Sequence, residues 1–181
     1  SNLGIIFKDL GKLEETEISY RKAIKLNPDL ENAHFNLGNV LIEQGKLKAG
    51  KISYCKAIEL NPNCAEVHSN LGNTMKDLGS LKEAELSYRK AIKLKPNFAD
   101  AHFNLGNILN DLGKLKELIH LSQSTIRSES INEEYKLFAF LQLIIANLVQ
   151  QNFAESLSNI NKTNDLISKG VANTIKDQTN R

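Results

Sequence analysis

Apolar residues at Ala33, Leu37, Val40 and Leu41 recur at the three-and-four spacing of a helix with one buried face. Leu47, Ile52, Tyr54, Ala57, Ile58 and Leu60 give a second run of helical character. Between the two runs Gly45 can take the left-handed backbone that ends a helix. The second run stops at Asn61-Pro62, because proline forces its predecessor out of helical geometry. The pattern predicts a helical hairpin, helix A followed by helix B. Asn63 with Glu66 three residues on, and Asn97 with Asp100, are expected to cap the helix A that comes next.

The hairpin repeats. Asn-Leu-Gly occurs at Asn2 to Gly4, Asn36 to Gly38, Asn70 to Gly72 and Asn104 to Gly106, each 34 residues after the last. A second glycine (Gly11, Gly45, Gly79, Gly113), a leucine two further on (Leu13, Leu47, Leu81, Leu115), a tyrosine (Tyr20, Tyr54, Tyr88) and a proline (Pro28, Pro62, Pro96) keep the same spacing. A strict period of this length is the mark of a stack of identical supersecondary units. Gly38, Gly72 and Gly106 fall inside helix A, where glycine costs about 1 kcal/mol against alanine. Their repetition suggests a partner helix that comes too close for a β-carbon.

These residues together resemble the tetratricopeptide repeat. Ala33-His34-Phe35-Asn36-Leu37-Gly38-Asn39 and Tyr88-Arg89-Lys90-Ala91-Ile92 are most similar to units in the superhelical array of O-GlcNAc transferase and its bacterial relatives. The resemblance covers about Ser1 to Arg127. It implies an all-α, right-handed solenoid of antiparallel helix pairs whose A helices line a concave groove. Departures are His34, His68 and His102 where the family often has tryptophan, Leu41 and Met75 where it often has tyrosine, and Gly50 where alanine is usual. Gly50 is expected to loosen one hairpin.

Four hairpins are expected over residues 1–127, the first truncated, since Ser1 falls several residues into a helix A, and the fourth degenerate. In the fourth, Leu118, Ser122, Thr125 and Ser130 stand where Ala84, Tyr88, Ala91 and Pro96 stand one period earlier. After the connector Ser128-Glu129-Ser130 a long apolar helix is expected from about Asn132 to Gln150, then another from Phe153 to about Ser168. Gln151-Asn152-Phe153-Ala154-Glu155 looks like a worn copy of Gly79 to Glu83, so residues 128–169 are expected to form a divergent hairpin that closes the stack, as a terminal unit must. Residues 170–181 make a polar tail. The starting point suggests a piece of a longer protein.

Charge adds little at the scale of the chain, with 23 basic against 21 acidic residues and a net +2 in 181 residues. That balance gives no field to draw nucleic acid or an anionic membrane. Apolar stretches are far shorter than the roughly 20 residues of a membrane span, and the first residues lack the basic-then-apolar pattern expected of a signal peptide. Nucleic-acid and membrane partners are therefore not expected, and the cytoplasm is the expected compartment. Cys55 and Cys64 lack the spacing of a disulfide framework or a zinc site and read as free thiols.

Candidate chemistry lies in ladders along helix A. Asn36 and Asn39 share a helix face, and the pair returns at Asn70 and Asn73 and at Asn104 and Asn107. Amides offer both donors and an acceptor, which suits the backbone of an extended peptide. The alternative is an asparagine that bonds the neighbouring helix and sets the stacking. In the arrays it resembles, such asparagines look into the groove, and the resemblance implies the same for these six. A second ladder is acidic, Asp9, Glu43, Asp77 and Asp111, and suggests a rim that favours basic or hydroxyl-rich ligands. Stacked helices lie about 8–10 Å apart, too far for His34, His68 and His102 to share a metal whose nitrogens sit at about 2 Å. Packing or capping is expected of them. Tyr20-Arg21-Lys22 and Tyr88-Arg89-Lys90 belong to helix B, where the alternating Glu17, Glu59 and Glu85 argue for a solvated face over an RNA-binding one.

No catalytic order, phosphate loop or metal set stands out, so no enzyme activity and no cofactor are expected. The expected function is a scaffold that holds an extended peptide or protein segment in the groove, through Asn36, Asn39, Asn70, Asn73, Asn104, Asn107, Glu43, Asp77 and Asp111. Two alternatives stand beside it: a substrate-presenting or regulatory arm of a larger enzyme such as a glycosyltransferase, and a module that forms a homodimer through residues 132–150.

Overall fold

The computed structural model describes residues 12–129, 131–149, 157–165 and 167–168, all the regular structure among them being helical. The helices are α1 (Leu13–Leu26), α2 (Glu31–Glu43), α3 (Leu47–Leu60), α4 (Ala65–Asp77), α5 (Leu81–Leu94), α6 (Ala99–Asp111), α7 (Leu115–Arg127) and α8 (Glu133–Val149). Residues 157–165 add a further helical segment. The chain divides into two compact units, residues 1–96 and 97–181. The truncated first helix A, Asp9, the segment Gln151 to Glu155 and the polar tail lie outside the described residues.

In the first unit α1 is the helix B of the opening hairpin, and α2 with α3, and α4 with α5, are the two complete hairpins. Gly45 and Gly79 end α2 and α4 with φ of 74° and 76°, the left-handed backbone the sequence asks of them. Each turn then returns the chain, and Lys46 N and Ser80 N donate back to Leu41 O and Met75 O. The opening of helix A differs from expectation. α4 and α6 begin one residue later than caps at Asn63 and Asn97 would require, after Cys64 and Phe98, with no side-chain cap bond. The turn is held from the other side, because Asn61 Oδ1 accepts Asn63 N at 3.1 Å and His68 Nε2 meets the Pro62 carbonyl at 3.0 Å. Asn27, Asp29, His34 and Pro28 repeat that arrangement one unit earlier. The histidines thus clasp the proline turn, as the packing or capping reading expected. Burial lowers the His68 pKa, against the pull of the bond to the Pro62 carbonyl.

The core of this unit gathers Tyr20, Ala33, Leu37, Val40 and Leu41, with Leu13, Ala23, Ile24 and Ala49 packed against them. A β-carbon added at Gly38 would stand 2.5 Å from Cδ1 and Cε1 of Tyr54, and one at Gly72 would stand 2.7 Å from Cε1 of Tyr88. The close partner that the repeated glycine implies is therefore an aromatic ring. Gly50 is buried under the Ile42 side chain, whose Cδ1 would lie 2.5 Å from an added Cβ.

The second unit keeps the first helices and changes their filling. Ala101, Leu105, Ile108, Leu109 and Leu118 are buried in α6 and α7, and Ala139, Phe140, Leu143, Ile144 and Ala146 in α8. The expected long apolar helix is present as α8, yet Phe138, Leu141, Ile145, Leu148 and Val149 remain exposed on it.

Candidate functional site

Helix periodicity sends Asn39 and Glu43 to one face of α2, and Asn70, Asn73 and Asp77 to the corresponding face of α4. These five line a groove of about 380 Å³ together with Ile42, Tyr54 and Thr74. Asn36 is half-buried on α2 and does not line it. Asn104, Asn107 and Asp111 stand on α6 in the other unit, the amides half-buried and the carboxylate exposed.

The amides are tied in. Asn39 Oδ1 accepts the Tyr54 hydroxyl at 2.7 Å and Asn70 Nδ2 at 3.0 Å. Asn73 Oδ1 accepts the Tyr88 hydroxyl at 2.6 Å. With its oxygen taken twice, Asn39 turns its N–H donors elsewhere, and the groove offers it as a donor more than as an acceptor. The two carboxylates supply the acceptors. Burial pushes the Tyr54 hydroxyl up to about 12, the Asn70 bond opposes this, and the negative charge of Glu43 adds to it. Burial raises Tyr88 still further, with Asp77 contributing. Glu43 thus acts on Tyr54, which lines the groove, and Asp77 on Tyr88, which holds Asn73.

In the second unit the same asparagine has a different partner. Asn107 Oδ1 accepts Gln142 Nε2 of α8 at 3.0 Å, and that nitrogen also reaches the Phe103 carbonyl at 3.3 Å. Gln142 covers Gly106 as the tyrosines cover Gly38 and Gly72. Sequence reasoning missed the tyrosines and Gln142 as parts of the site. The fixed separation of 15 residues in Asn39 to Tyr54 and Asn73 to Tyr88 was the available signal. No group of residues fit to hold a metal ion occurs among the described residues, and no helix among them is long and apolar enough to cross a membrane.

Paired helices stacked through a glycine-aromatic contact, with an amide-lined face, define a helical-repeat interaction protein. The model of the TPR repeat matches residues 4–45, 38–79 and 72–113, and the chain belongs to that family. Its fold is shared with MamA (20% identity, TM-score 0.82, 93% of this chain and 96% of that one). It is shared too with YrrB, described as a TPR protein with an unusual peptide-binding site (22% identity, TM-score 0.76, 91% and 83%). A tetratricopeptide repeat protein from Parabacteroides merdae gives 23% identity and a TM-score of 0.78 over 93% of this chain and 64% of that one. No curated protein matches the chain in sequence.

Proposed function

We propose that the protein is a scaffold that holds an extended segment of another protein on the inner face of its first unit. The observation that carries this is the groove of about 380 Å³ in which Asn39, Asn70 and Asn73 meet Glu43 and Asp77. Amides there meet a peptide backbone, and the carboxylates favour a lysine or arginine side chain. Each such bond nets only about 1 kcal/mol, so affinity is summed over several contacts. Asn104, Asn107 and Asp111 offer the same residue types on α6, and Asn36 lies outside the groove. The peptide-binding site named for YrrB is in keeping with this use of the fold. A random peptide library displayed on phage and selected on the whole chain tests it. Recovered peptides are expected to be basic and to lose most of their affinity to Asp77→Asn and to Asn70→Ala. Binding indifferent to both substitutions overturns the reading.

A second reading, self-association through residues 132–150, is favoured by the exposed row Phe138, Leu141, Ile145 and Leu148 on α8. Light scattering at two concentrations tests it with Ile145→Glu, since a charge at the buried Ile144 would unfold the helix instead. A monomer mass at both concentrations in the unsubstituted chain removes this reading.

A further inference from the structure

The other face of the first unit carries a second periodic surface, independent of the groove. Ile18 on α1, Ile52 on α3 and Leu86 on α5 recur at 34 residues and are 65%, 69% and 68% exposed. At 100° per residue each stands about 160° around its helix from the buried tyrosine at Tyr20, Tyr54 or Tyr88, so the row points straight away from the core. Four residues further along each helix comes a lysine, Lys22, Lys56 or Lys90, about 200° from the tyrosine. Lys22 and Lys90 have no ion pair among the described residues, while Lys56 pairs with Glu59 at 2.9 Å. An aliphatic row thus runs beside a lysine row over the three B helices α1, α3 and α5.

Charge divides the unit in the same sense. α1, α3 and α5 hold ten basic against six acidic residues, whereas α2 and α4 hold one basic against four acidic. Three of the six acids, Glu17, Glu85 and Glu59, are in ion pairs with Arg21, Arg89 and Lys56 at 2.8, 2.9 and 2.9 Å. The remaining Glu14, Glu15 and Glu83 interrupt the outer face, so it suits a narrow ligand that follows the two rows better than a flat anionic bilayer.

We infer that this outer face docks an acidic amphipathic helix of another protein, laid across α1, α3 and α5. Its apolar stripe covers Ile18, Ile52 and Leu86, and its carboxylates face Lys22, Lys56 and Lys90. Stacked hairpins advance by about 10 Å, and a helix rises about 1.5 Å per residue. The partner therefore presents an apolar residue at about every seventh position and needs about 15 residues to span the three rows.

The probe is a fluorescein-labelled helical peptide of about 20 residues with leucine at about every seventh position and glutamates along one flank. Its anisotropy is read against the whole chain. Saturable binding is expected that weakens as salt rises. Ile52→Ser/Leu86→Ser and Lys22→Glu/Lys56→Glu are each expected to weaken it by about tenfold or more, with melting by circular dichroism unchanged. Asn70→Ala, on the inner face, is expected to leave it unaltered, which separates this surface from the groove. Absence of saturable binding, equal binding by the outer-face variants, or preferential binding of phosphatidylserine vesicles over the peptide would overturn the inference.

Discussion

The two complete hairpins of the first unit and the α6–α7 hairpin of the second begin from almost the same helix A, and they solve its central glycine in different ways. Over Gly38 and Gly72 lies the ring of Tyr54 or Tyr88, which is 2% or 0% exposed and anchored by its hydroxyl to the asparagine one residue past the glycine. Over Gly106 lies the end of Gln142, brought from α8 because Ser122 stands where a tyrosine would be. A rigid aromatic plug makes a hairpin self-sufficient; an amide borrowed from the following helix makes it depend on its neighbour. The groove residues inherit this difference. Asn39 and Asn73 are held from within their own hairpin, and Asn107 only as long as α8 is docked.

Removing the plug has the largest expected effect. Tyr88→Ala leaves a large buried cavity and an Asn73 oxygen without its hydroxyl donor, and should cost about 3–5 kcal/mol, read by urea denaturation. Gln142→Ala, its counterpart, removes one hydrogen-bonding amide at a half-buried position and should cost about 1 kcal/mol. Equal losses would dissolve the distinction between the two units.

Next in size is the attempt to fill the glycine beneath a ring. In Gly38→Ala the new carbon meets ring atoms that cannot swing aside, because Tyr54 is buried and bonded to Asn39. Overpacking of about 1–3 kcal/mol should outweigh the gain in helix propensity, and a lower Tm checks it.

The same plugs predict an alkaline weakness in the first unit. Burial raises the Tyr54 pKa from 10.0 to about 12, and Tyr88 is raised likewise. A phenol that keeps its proton in the folded state but loses it near pH 10 when unfolded stabilises the fold fully below pH 10. That contribution disappears as pH rises from 10 to about 12, by on the order of 1–2 kcal/mol for Tyr54. Denaturation midpoints followed across that interval should fall, and Tyr54→Phe should flatten the fall. A slope unchanged by the substitution would mean the ring is not the group responsible.

Much of this was legible from the chain. The period, the helix ends at Gly45 and before Pro62, and the ladder Asn39, Asn70, Asn73, Glu43 and Asp77 follow from local rules that a 34-residue repeat states several times over. The start of helix A was misread because Asn63 carries a capping side chain yet sits one residue too early; the Asn61 side chain and the His68 ring hold that turn instead. Gln142 was not legible at all. It lies 35 residues from Asn107, outside the period, and its role depends on a docking geometry that no local pattern encodes.

The smallest expected effect is the sharpest test of the contrast. In Gly106→Ala the atoms nearest the new carbon are Oε1, Nε2 and Cδ of Gln142, the free end of a flexible side chain. That end can swing away at the expense of its bond to Asn107, about 1 kcal/mol, and alanine returns about 1 kcal/mol of helix propensity. The two nearly cancel, so Gly106→Ala should leave the urea midpoint within a few tenths of a kcal/mol where Gly38→Ala and Gly72→Ala clearly lower it. Exchange of the Gln142 side-chain amide hydrogens should quicken even so, because Nε2 has left the Asn107 oxygen that accepted it. A Gly106→Ala loss as large as that at Gly38 would show that Gln142 is as firmly fixed as a tyrosine ring, and the second unit would then be no more dependent on α8 than the first is on its own helix B.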